Sequence, residues 1–440
     1  MIRDQLIRQI ESRRATVGII GLGYAGLPLV LRFGQVGFDV LGFDIDSEKV
    51  SALNDGNSYI SHIKSEEIAR LRRQSKFRAT SEFVGLAGTD CIIICVPTPL
   101  TSDREPDLQY IEKTAEAIEA TLRPGQLVVL ESTTYPGTTE EFIRTRLEKT
   151  GLQVGKDFFL AYSPEREDPG NVDFSTQTIP KVLGGTTPNC LIVARSLYSQ
   201  VIDQLVPVSS TETAELVKLL ENIYRSVNIA LVNELKMLCE QMGVDIWEVI
   251  DAASTKPFGF TPFYPGPGIG GHCIPIDPFY LAWKAREHGV ETRFVELAGQ
   301  INSAMPKYVV GKTVSALKDH GKSVQDSHIL ILGVAYKKGI DDVRESPALE
   351  IMNLLQEKGG QISYHDPFVP KLHKMRHYDF SNLESENLTE SLLQNQDAIV
   401  IATDHETVDY QWVVKNSSLL IDTRNATKGI IEGPGKIVRA

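Results

Sequence analysis

The residues best suited to chemistry lie in GPGIGGHCIPIDPFYLAWKAREHG, residues 266–289. Four glycines within six residues from Gly266 let backbone come close to a ligand. Pro275 and Pro278 suit the first turn of a helix that ends at Gly289. Cys273 then falls just before a helix N-terminus, where the macrodipole favours thiolate, and Asp277 four residues on can reach the same space. Residue type alone leaves two readings of Cys273 open, a nucleophile or the small buried hydrophobe that a lone cysteine commonly is. His272 beside it reads as a loop or structural histidine. Lys218 and Asn222 are four apart in a helical stretch and share a face, which is either a solvated face or a polar pair turned into a cleft. Leu219 and Leu220 read as the packed side of that helix. Glu165, in SPE, is a similar case, because SPE is also the pattern of an N-cap followed by a first-turn acid.

A second group of residues addresses a nucleotide. TVGII (16–20) reads as a buried strand and GLGYAG (21–26) follows it directly, before the helical LPLVLRFGQVG. Gly21 permits the tight turn, Gly23 lets backbone approach a pyrophosphate, and Gly26 allows close packing of helix on strand. The free amides of the helix start then face the anion. The glycine pattern also occurs as bare structure, but Asp44 stands 18 positions after Gly26 at the end of the second strand. A carboxylate there accepts from the adenosine ribose and repels a 2′-phosphate, which favours NAD over NADP. PTP (97–99) and EST (131–133) sit where the third and fourth strands end, in the region that lines the ligand crevice of an open parallel sheet. The hydroxyls of Thr98, Ser132 and Thr133 there either meet a ligand or cap the strand ends.

These residues need a scaffold of alternating strands and helices. Apolar runs at 39–43, 91–96 and 126–133 continue the first lobe, and strand-like runs at 327–337, 361–367, 397–405 and 419–425 build another, so the fold class is α/β. Between them the stretch from Thr211 to Gly243 contains no proline or glycine before Gly243, and its apolar positions recur every three or four residues, as in one long helix. The composition, 42% hydrophobic and 23% charged, excludes a largely disordered chain. A net charge of -12 repels phosphate backbones, so nucleic acid is not an expected partner. No apolar run approaches membrane-spanning length, and the N-terminal MIRDQLIRQIESRRA lacks the features of a secretory signal. Five cysteines with no CxxC pair point to reduced thiols in a cytoplasm, with no metal site expected.

The ordered motifs GLGYAGLPL (21–29), FDID (43–46), VPTP (96–99), ESTTYPGTT (131–139), YSPERE (162–167), KLLEN (218–222), GGHCIPIDP (270–278) and AYKKGIDDVRESPA (335–348) resemble the UDP-glucose/GDP-mannose dehydrogenase family over nearly the whole chain. The resemblance implies two Rossmann-like doubly wound parallel-sheet lobes joined by a long central helix. It implies an NAD-binding domain over 1–208, a central helical domain for dimerisation and catalysis over 209–310, and a UDP-sugar-binding domain over 311–440. The expected activity is a four-electron oxidation of a sugar-nucleotide C6 alcohol to a carboxylate, with two NAD reduced, by a cytoplasmic homodimer or higher homo-oligomer. In the family pattern Gly21, Gly23, Tyr24, Ala25, Gly26, Asp44, Thr98, Thr133 and Arg344 serve the cofactor. Glu165, Lys218, Asn222, Tyr264, Gly270 and Lys337 serve the UDP-sugar, and the loop from Phe258 to Gly271 closes over the hexose. The resemblance makes Cys273 the nucleophile that holds the aldehyde as a thiohemiacetal and then a thioester. Asp277, Lys218 and a water surround the reacting oxygen, Asn222 helps hold the oxyanion, Glu165 is the base for thioester hydrolysis, and Thr133 completes the catalytic set.

The loop strings look like the UDP-N-acetylhexosamine branch. UDP-glucose enzymes typically show a GFGGSCFxKD-like loop with an upstream arginine on the hexose, whereas the position 16 before Cys273 is Pro257. YSPEREDPGN and RFGQVGFDVLGFDID look closer to the gluco enzymes of O-antigen and capsule synthesis, so the expected substrate is UDP-N-acetylglucosamine, with the manno epimer or UDP-glucose as alternatives. A two-electron dehydrogenase of the 3-hydroxyacid type shares the first lobe and the long helix, but it has no need of the GGHC thiol.

Overall fold

The computed structural model describes residues 2–60, 63–101, 103, 105–167, 174–271, 274, 276–375, 377–430 and 435–440. The chain forms two compact units, one of residues up to Glu221 with Phe279–Glu291, the other of Asn222–Pro278 with Thr292–Ala440.

The first unit is built on eight strands: β1 (Thr16–Ile20), β2 (Asp39–Phe43), β3 (Phe77–Thr80), β4 (Cys91–Ile94), β5 (Leu127–Leu130), β6 (Phe159–Tyr162), β7 (Lys181–Gly185) and β8 (Leu205–Pro207). They lie in the order β3-β2-β1-β4-β5-β6-β7-β8, parallel throughout except where β6 meets β7. The order reverses between β1 and β4, so the crevice for a ligand opens at the carboxyl ends of those two strands. Every residue of β4, β5 and β6 is buried. Alternate residues feed different cores: Ile19, Ile93 and Val129 belong to one cluster, Ile20, Ile94 and Leu130 to another. A strand with both faces covered has no polar side to offer, which is why these segments read as unbroken apolar runs.

The second unit contains five parallel strands, β9 (His328–Leu332), β10 (Gln361–His365), β11 (Ala398–Ile401), β12 (Leu419–Asp422) and β13 (Lys436–Arg439), in the order β10-β9-β11-β12-β13. It too is doubly wound, with its switch point between β9 and β11.

A single helix, Thr211–Met242, contributes residues to both units. Its buried side mixes polar with apolar residues, among them Ala214, Leu219, Ile223, Ala230 and Val232. Glu215, Lys218, Asn222, Ser226, Asn233 and Lys236 recur at helical spacing and are all buried. Leu216, Leu220, Tyr224, Leu231, Leu235, Leu238 and Met242 form a stripe that is exposed. Leu219, read from the sequence as packed, is fully buried, whereas Leu220, read the same way, is 63% exposed. No helix among the described residues is long and apolar enough to cross a membrane.

Glu215 ties this helix to the turn after β5. Its carboxylate accepts from the Gly137 N–H at 2.6 Å and from the Thr139 N–H and hydroxyl at 2.9 and 2.7 Å. Gly137 makes the turn at φ +104, a conformation that suits glycine. Burial pushes the Glu215 carboxyl up to about 7, outweighing the hydrogen bonds from Thr139 and Gly137 that favour its charged form. A carboxyl raised in the folded state contributes stability that is whole below its unfolded pKa and is lost as pH rises through the folded one. The melting temperature of the wild-type chain should therefore fall more between about pH 5 and about pH 8 than that of Glu215→Gln. Parallel melting curves for the two proteins across that range would contradict a raised Glu215.

Candidate active site

The three glycines of GLGYAG act for three different reasons. Gly21 has φ +90, and a Cβ there would fall 2.4 Å from the Cys95 carbonyl oxygen. A Cβ on Gly26 would fall 1.9 Å from the Gly21 carbonyl oxygen, so the helix Gly26–Gln35 could not pack on its own turn. Gly23 faces open space. Ala25 precedes the helix and offers no side-chain cap, and in the first turn the Leu27 N–H donates to the Gly23 carbonyl at 3.0 Å. Asp44 is buried at the end of β2, accepting the Leu22 N–H at 2.9 Å and the Asp46 N–H at 3.0 Å. The carboxylate therefore shapes the glycine turn. These features fit the pyrophosphate and adenosine ribose of a dinucleotide.

A small pocket adjoins this turn, lined by Ala25, Leu29, Glu131, Pro164, Glu165, Arg166, Glu167, Thr176, Ile179, Pro180, Lys181 and Ile202. Its wall 163–167 is an irregular segment with no helix start. SPE is therefore not an N-cap: the Ser163 hydroxyl instead donates to the Val182 carbonyl at 2.8 Å. Lys218 is buried, 6% exposed, which removes the solvated-face reading. Its ammonium donates to the Glu165 carbonyl oxygen at 2.5 Å and lies 3.7 Å from the Glu165 carboxylate. The Glu165 carboxylate accepts from the Glu167 N–H. Arg166 fixes the same segment through Glu221 at 2.6 Å and the Pro180 carbonyl at 2.5 Å.

Two pocket groups went unrecognised in the sequence. Glu131, 1% exposed at the end of β5, accepts from Lys181 at 2.8 Å and from the Tyr198 hydroxyl, with the Lys181 ammonium 5.2 Å from the Tyr198 ring centre. Glu167 has its carboxyl raised by burial, although Thr176 donates to it. Neither pairing follows a local spacing, so no periodicity announces it. The Ser132 hydroxyl donates to the Val96 carbonyl at 2.8 Å, joining the EST and PTP segments, so its capping reading holds. Thr98 is buried and Thr133 half-buried on the same segments. The helix Asp277–Glu287 is held against these turns, with Tyr280 donating to the Pro99 carbonyl at 3.1 Å, Lys284 bonding Glu141 at 2.8 Å and Trp283 packed 4.9 Å from Tyr135.

In the second unit Asn222, 8% exposed, donates to the buried Asp277 carboxylate at the start of that helix. Gly270 and Gly271 press on the segment 336–345: a Cβ on Gly270 would fall 2.6 Å from Cβ of Tyr336, and the Gly271 N–H donates to the Arg344 carbonyl at 3.0 Å. The Arg344 guanidinium pairs with Asp342 at 2.6 Å, and Lys337 is half-buried. Tyr264 is placed on the helix Ile246–Ser254, its ring stacked on Trp247 and its hydroxyl donating to Asp251 at 2.9 Å. Arg424 is a further residue missed from the sequence. Its Nε donates to the Ala402 carbonyl at 3.0 Å, and its Nη1 would lie 2.6 Å from a Cβ on Gly266, so the guanidinium packs closely on that backbone. Cys273, His272 and Pro275 lie outside the described residues. Among the described residues no cluster could hold a metal ion.

A glycine turn under a doubly wound sheet, an acidic residue at the end of β2 and an adjoining pocket of buried charged groups define an NAD-dependent dehydrogenase. The chain belongs to the UDP-glucose/GDP-mannose dehydrogenase family. Its NAD binding domain matches residues 15–202, its central domain 212–304 and its UDP binding domain 330–429. The chain is 36% identical to the UDP-N-acetyl-D-mannosamine dehydrogenase of Pyrococcus horikoshii, over 94% of this chain and 96% of that protein. It is 37% identical to the UDP-N-acetyl-D-glucosamine 6-dehydrogenase of Pseudomonas aeruginosa, over 82% of this chain and 85% of that one. The solved structure of UDP-D-ManNAc dehydrogenase from Pyrococcus horikoshii superposes with a TM-score of 0.86 at 34% identity, covering 96% of this chain and 98% of that one.

NAD is the cofactor, and Asp44 is expected to enforce it. A buried carboxylate set against a 2′-phosphate costs several kcal/mol, so kcat/KM should favour NAD over NADP by roughly 100-fold or more. Asp44→Ala should narrow that ratio, and equal use of both cofactors by the wild-type enzyme would place Asp44 away from the ribose.

Proposed function

We propose that the chain oxidises the C6 hydroxyl of a UDP-N-acetylhexosamine to a carboxylate, with UDP-N-acetylglucosamine as the preferred sugar nucleotide. The observation that carries the reading is the buried Lys218 ammonium, held on Glu165, which lines the pocket adjoining the dinucleotide turn. The balance is one primary alcohol, one water and two NAD giving one carboxylate, two NADH and three protons. The glycine turn, with Tyr24, Ala25, Asp44, Thr98, Thr133 and Arg344, would hold NAD, which when bound would supply the hydride acceptor for both oxidations.

The protein's own groups manage the proton and the carbonyl. Lys218 offers positive charge to the C6 oxygen as its proton leaves, and Asp277 with a water receives that proton. Asn222, fixed by Asp277, steadies the same oxygen. The Cys273 thiolate adds to the aldehyde, so the intermediate stays bound until the thioester forms. Glu165, with Glu167 beside it, takes a proton from the water that cleaves the thioester, returning the thiolate. Lys337, Tyr264, Gly270 and Arg424 are assigned to the sugar nucleotide, and the domains are assigned as 1–208, 209–310 and 311–440.

The sugar is supported by the loop wording and by the Pseudomonas aeruginosa relative. The manno epimer is the second reading, favoured by the Pyrococcus horikoshii relative. We also infer that the exposed stripe from Leu216 to Met242 is covered by the same helix of a second copy, since a stripe this long and apolar is costly to leave in water. Light scattering should then read at least twice the chain mass, and a single-chain mass contradicts the pairing. The four free described cysteines, Cys91, Cys95, Cys190 and Cys239, agree with a cytoplasmic setting.

The test is NADH release from UDP-glucose, UDP-N-acetylglucosamine, UDP-N-acetylgalactosamine and UDP-N-acetylmannosamine, with wild type and Cys273→Ser. UDP-N-acetylglucosamine should exceed UDP-glucose by at least about tenfold in kcat/KM. Cys273→Ser should form no carboxylate. A manno preference overturns only the C2 assignment, a glucose preference overturns the branch, and full turnover by Cys273→Ser overturns the thioester route.

A further inference from the structure

His405 is fully buried and lies outside every group assigned above. Its Nδ1 is 3.1 Å from the Gly339 amide nitrogen, and its Nε2 is 3.0 Å from Oδ2 of Asp366. An amide can only donate, so Nδ1 accepts and Nε2 carries the hydrogen that Asp366 receives, which defines the neutral tautomer. The Phe368 ring centre lies 5.0 Å away and closes one side of the imidazole.

The group that His405 holds is the far end of a strap. Gly333 begins it at φ +79, where a Cβ would fall 2.3 Å from the Thr403 carbonyl oxygen. Val334 and Ala335 donate to Asp366 at 2.7 and 3.0 Å, the Thr403 hydroxyl donates to the Ala335 carbonyl at 2.6 Å, and the Tyr336 N–H donates to the Asp342 carbonyl at 3.0 Å. Beyond Tyr336 the Gly339 N–H donates to His405, and the Lys338 ammonium pairs with Glu406 at 2.6 Å on the surface. Between these two anchors stand Lys337, assigned above to the sugar nucleotide, and Tyr336, whose ring sits 3.1 Å from a Cβ built on Gly271.

We propose that His405 is a positioning residue for sugar-nucleotide binding: its Nδ1, oriented by Asp366, fixes Gly339 and so sets the strap 335–339 that carries Lys337 and seats Tyr336 against Gly270 and Gly271. The inference rests on the UDP-sugar reading proposed above. It assigns a function to a fully buried residue, and it separates the two nitrogen atoms of the ring by role.

Two variants separate those roles. In His405→Asn the amide oxygen takes the place of Nδ1 and keeps the acceptor for Gly339, whereas in His405→Gln the amide takes the place of Nε2 and leaves Gly339 unpaired. Calorimetric titration of the full chain with UDP and, separately, with NAD reads the outcome. His405→Gln should weaken UDP by about tenfold, the cost of one unpaired buried donor, and His405→Asn should restore most of it. NAD affinity should stay within about twofold of wild type in both. In turnover, KM for the UDP-sugar should rise with little change in KM for NAD. Thr403→Val, which removes one hydrogen bond at the other end of the strap, should also weaken UDP and gives an answer if His405→Gln does not fold. UDP affinity unchanged in the folded variants, or lost together with NAD affinity, overturns the inference while leaving the reaction intact. A wild-type chain that binds no UDP overturns the reading beneath it and the inference with it.

Discussion

The phase of the helix Thr211–Met242 governs the rest. Glu215, Lys218 and Asn222 lie three and four residues apart, so a helix that buries one buries all three. Each buried polar group left without a partner costs about 1–3 kcal/mol, so the helix can sit only where all of them are matched. They are matched by Gly137 and Thr139, by Glu165, and by Asp277 respectively. Further along, Asn233 meets Asn302 at 3.0 Å and accepts the Gly266 N–H at 3.0 Å. Rotating the helix by one residue would unpair that whole stripe at once. The exposed leucines on the opposite face are the other half of the same constraint.

The two sheets solve one backbone problem twice and then diverge. Gly21 and Gly333 both leave a first strand with positive φ, and in each case a Cβ would strike a carbonyl beyond the neighbouring strand. An aspartate ends the second strand region of each, Asp44 after β2 and Asp366 after β10. Asp44 takes two backbone donors and so keeps acceptor capacity for a ribose. Asp366 takes four backbone donors, from Val334, Ala335, Phe368 and Val369, and His405 as well. Those hydrogen bonds favour its charged form and, against burial, hold its carboxyl below the usual range. The second lobe has therefore spent on its own loop what the first offers to a cofactor, consistent with its match to a UDP binding domain.

What could be read in advance was what is local. The glycine turn, the strand ends at Asp44 and Cys91, and the long helix all follow from spacing within one segment, and the structure reproduces them. The faces of the helix followed only in part: Leu219 is buried as read, but Leu216 and Leu220 are exposed while Lys218 and Asn222 are buried. SPE failed as a helix cap because Ser163 found the Val182 carbonyl across the sheet. Glu131 with Lys181, Arg424 with Gly266, and His405 with Gly339 are pairings 50 to 158 residues apart. Only the fold brings such groups together, so their chemistry was invisible in the chain.

The central claim is that the chain removes four electrons from one sugar, keeping the aldehyde on the protein between two oxidations. It is tested most directly by limiting UDP-N-acetylglucosamine with excess NAD, run to completion, with NADH counted by absorbance and the acidic product by mass spectrometry. Two NADH per sugar, a UDP-hexosaminuronate as sole product and no free aldehyde are predicted. One NADH per sugar with an aldehyde released into solution would contradict the account and return the chain to two-electron dehydrogenase chemistry.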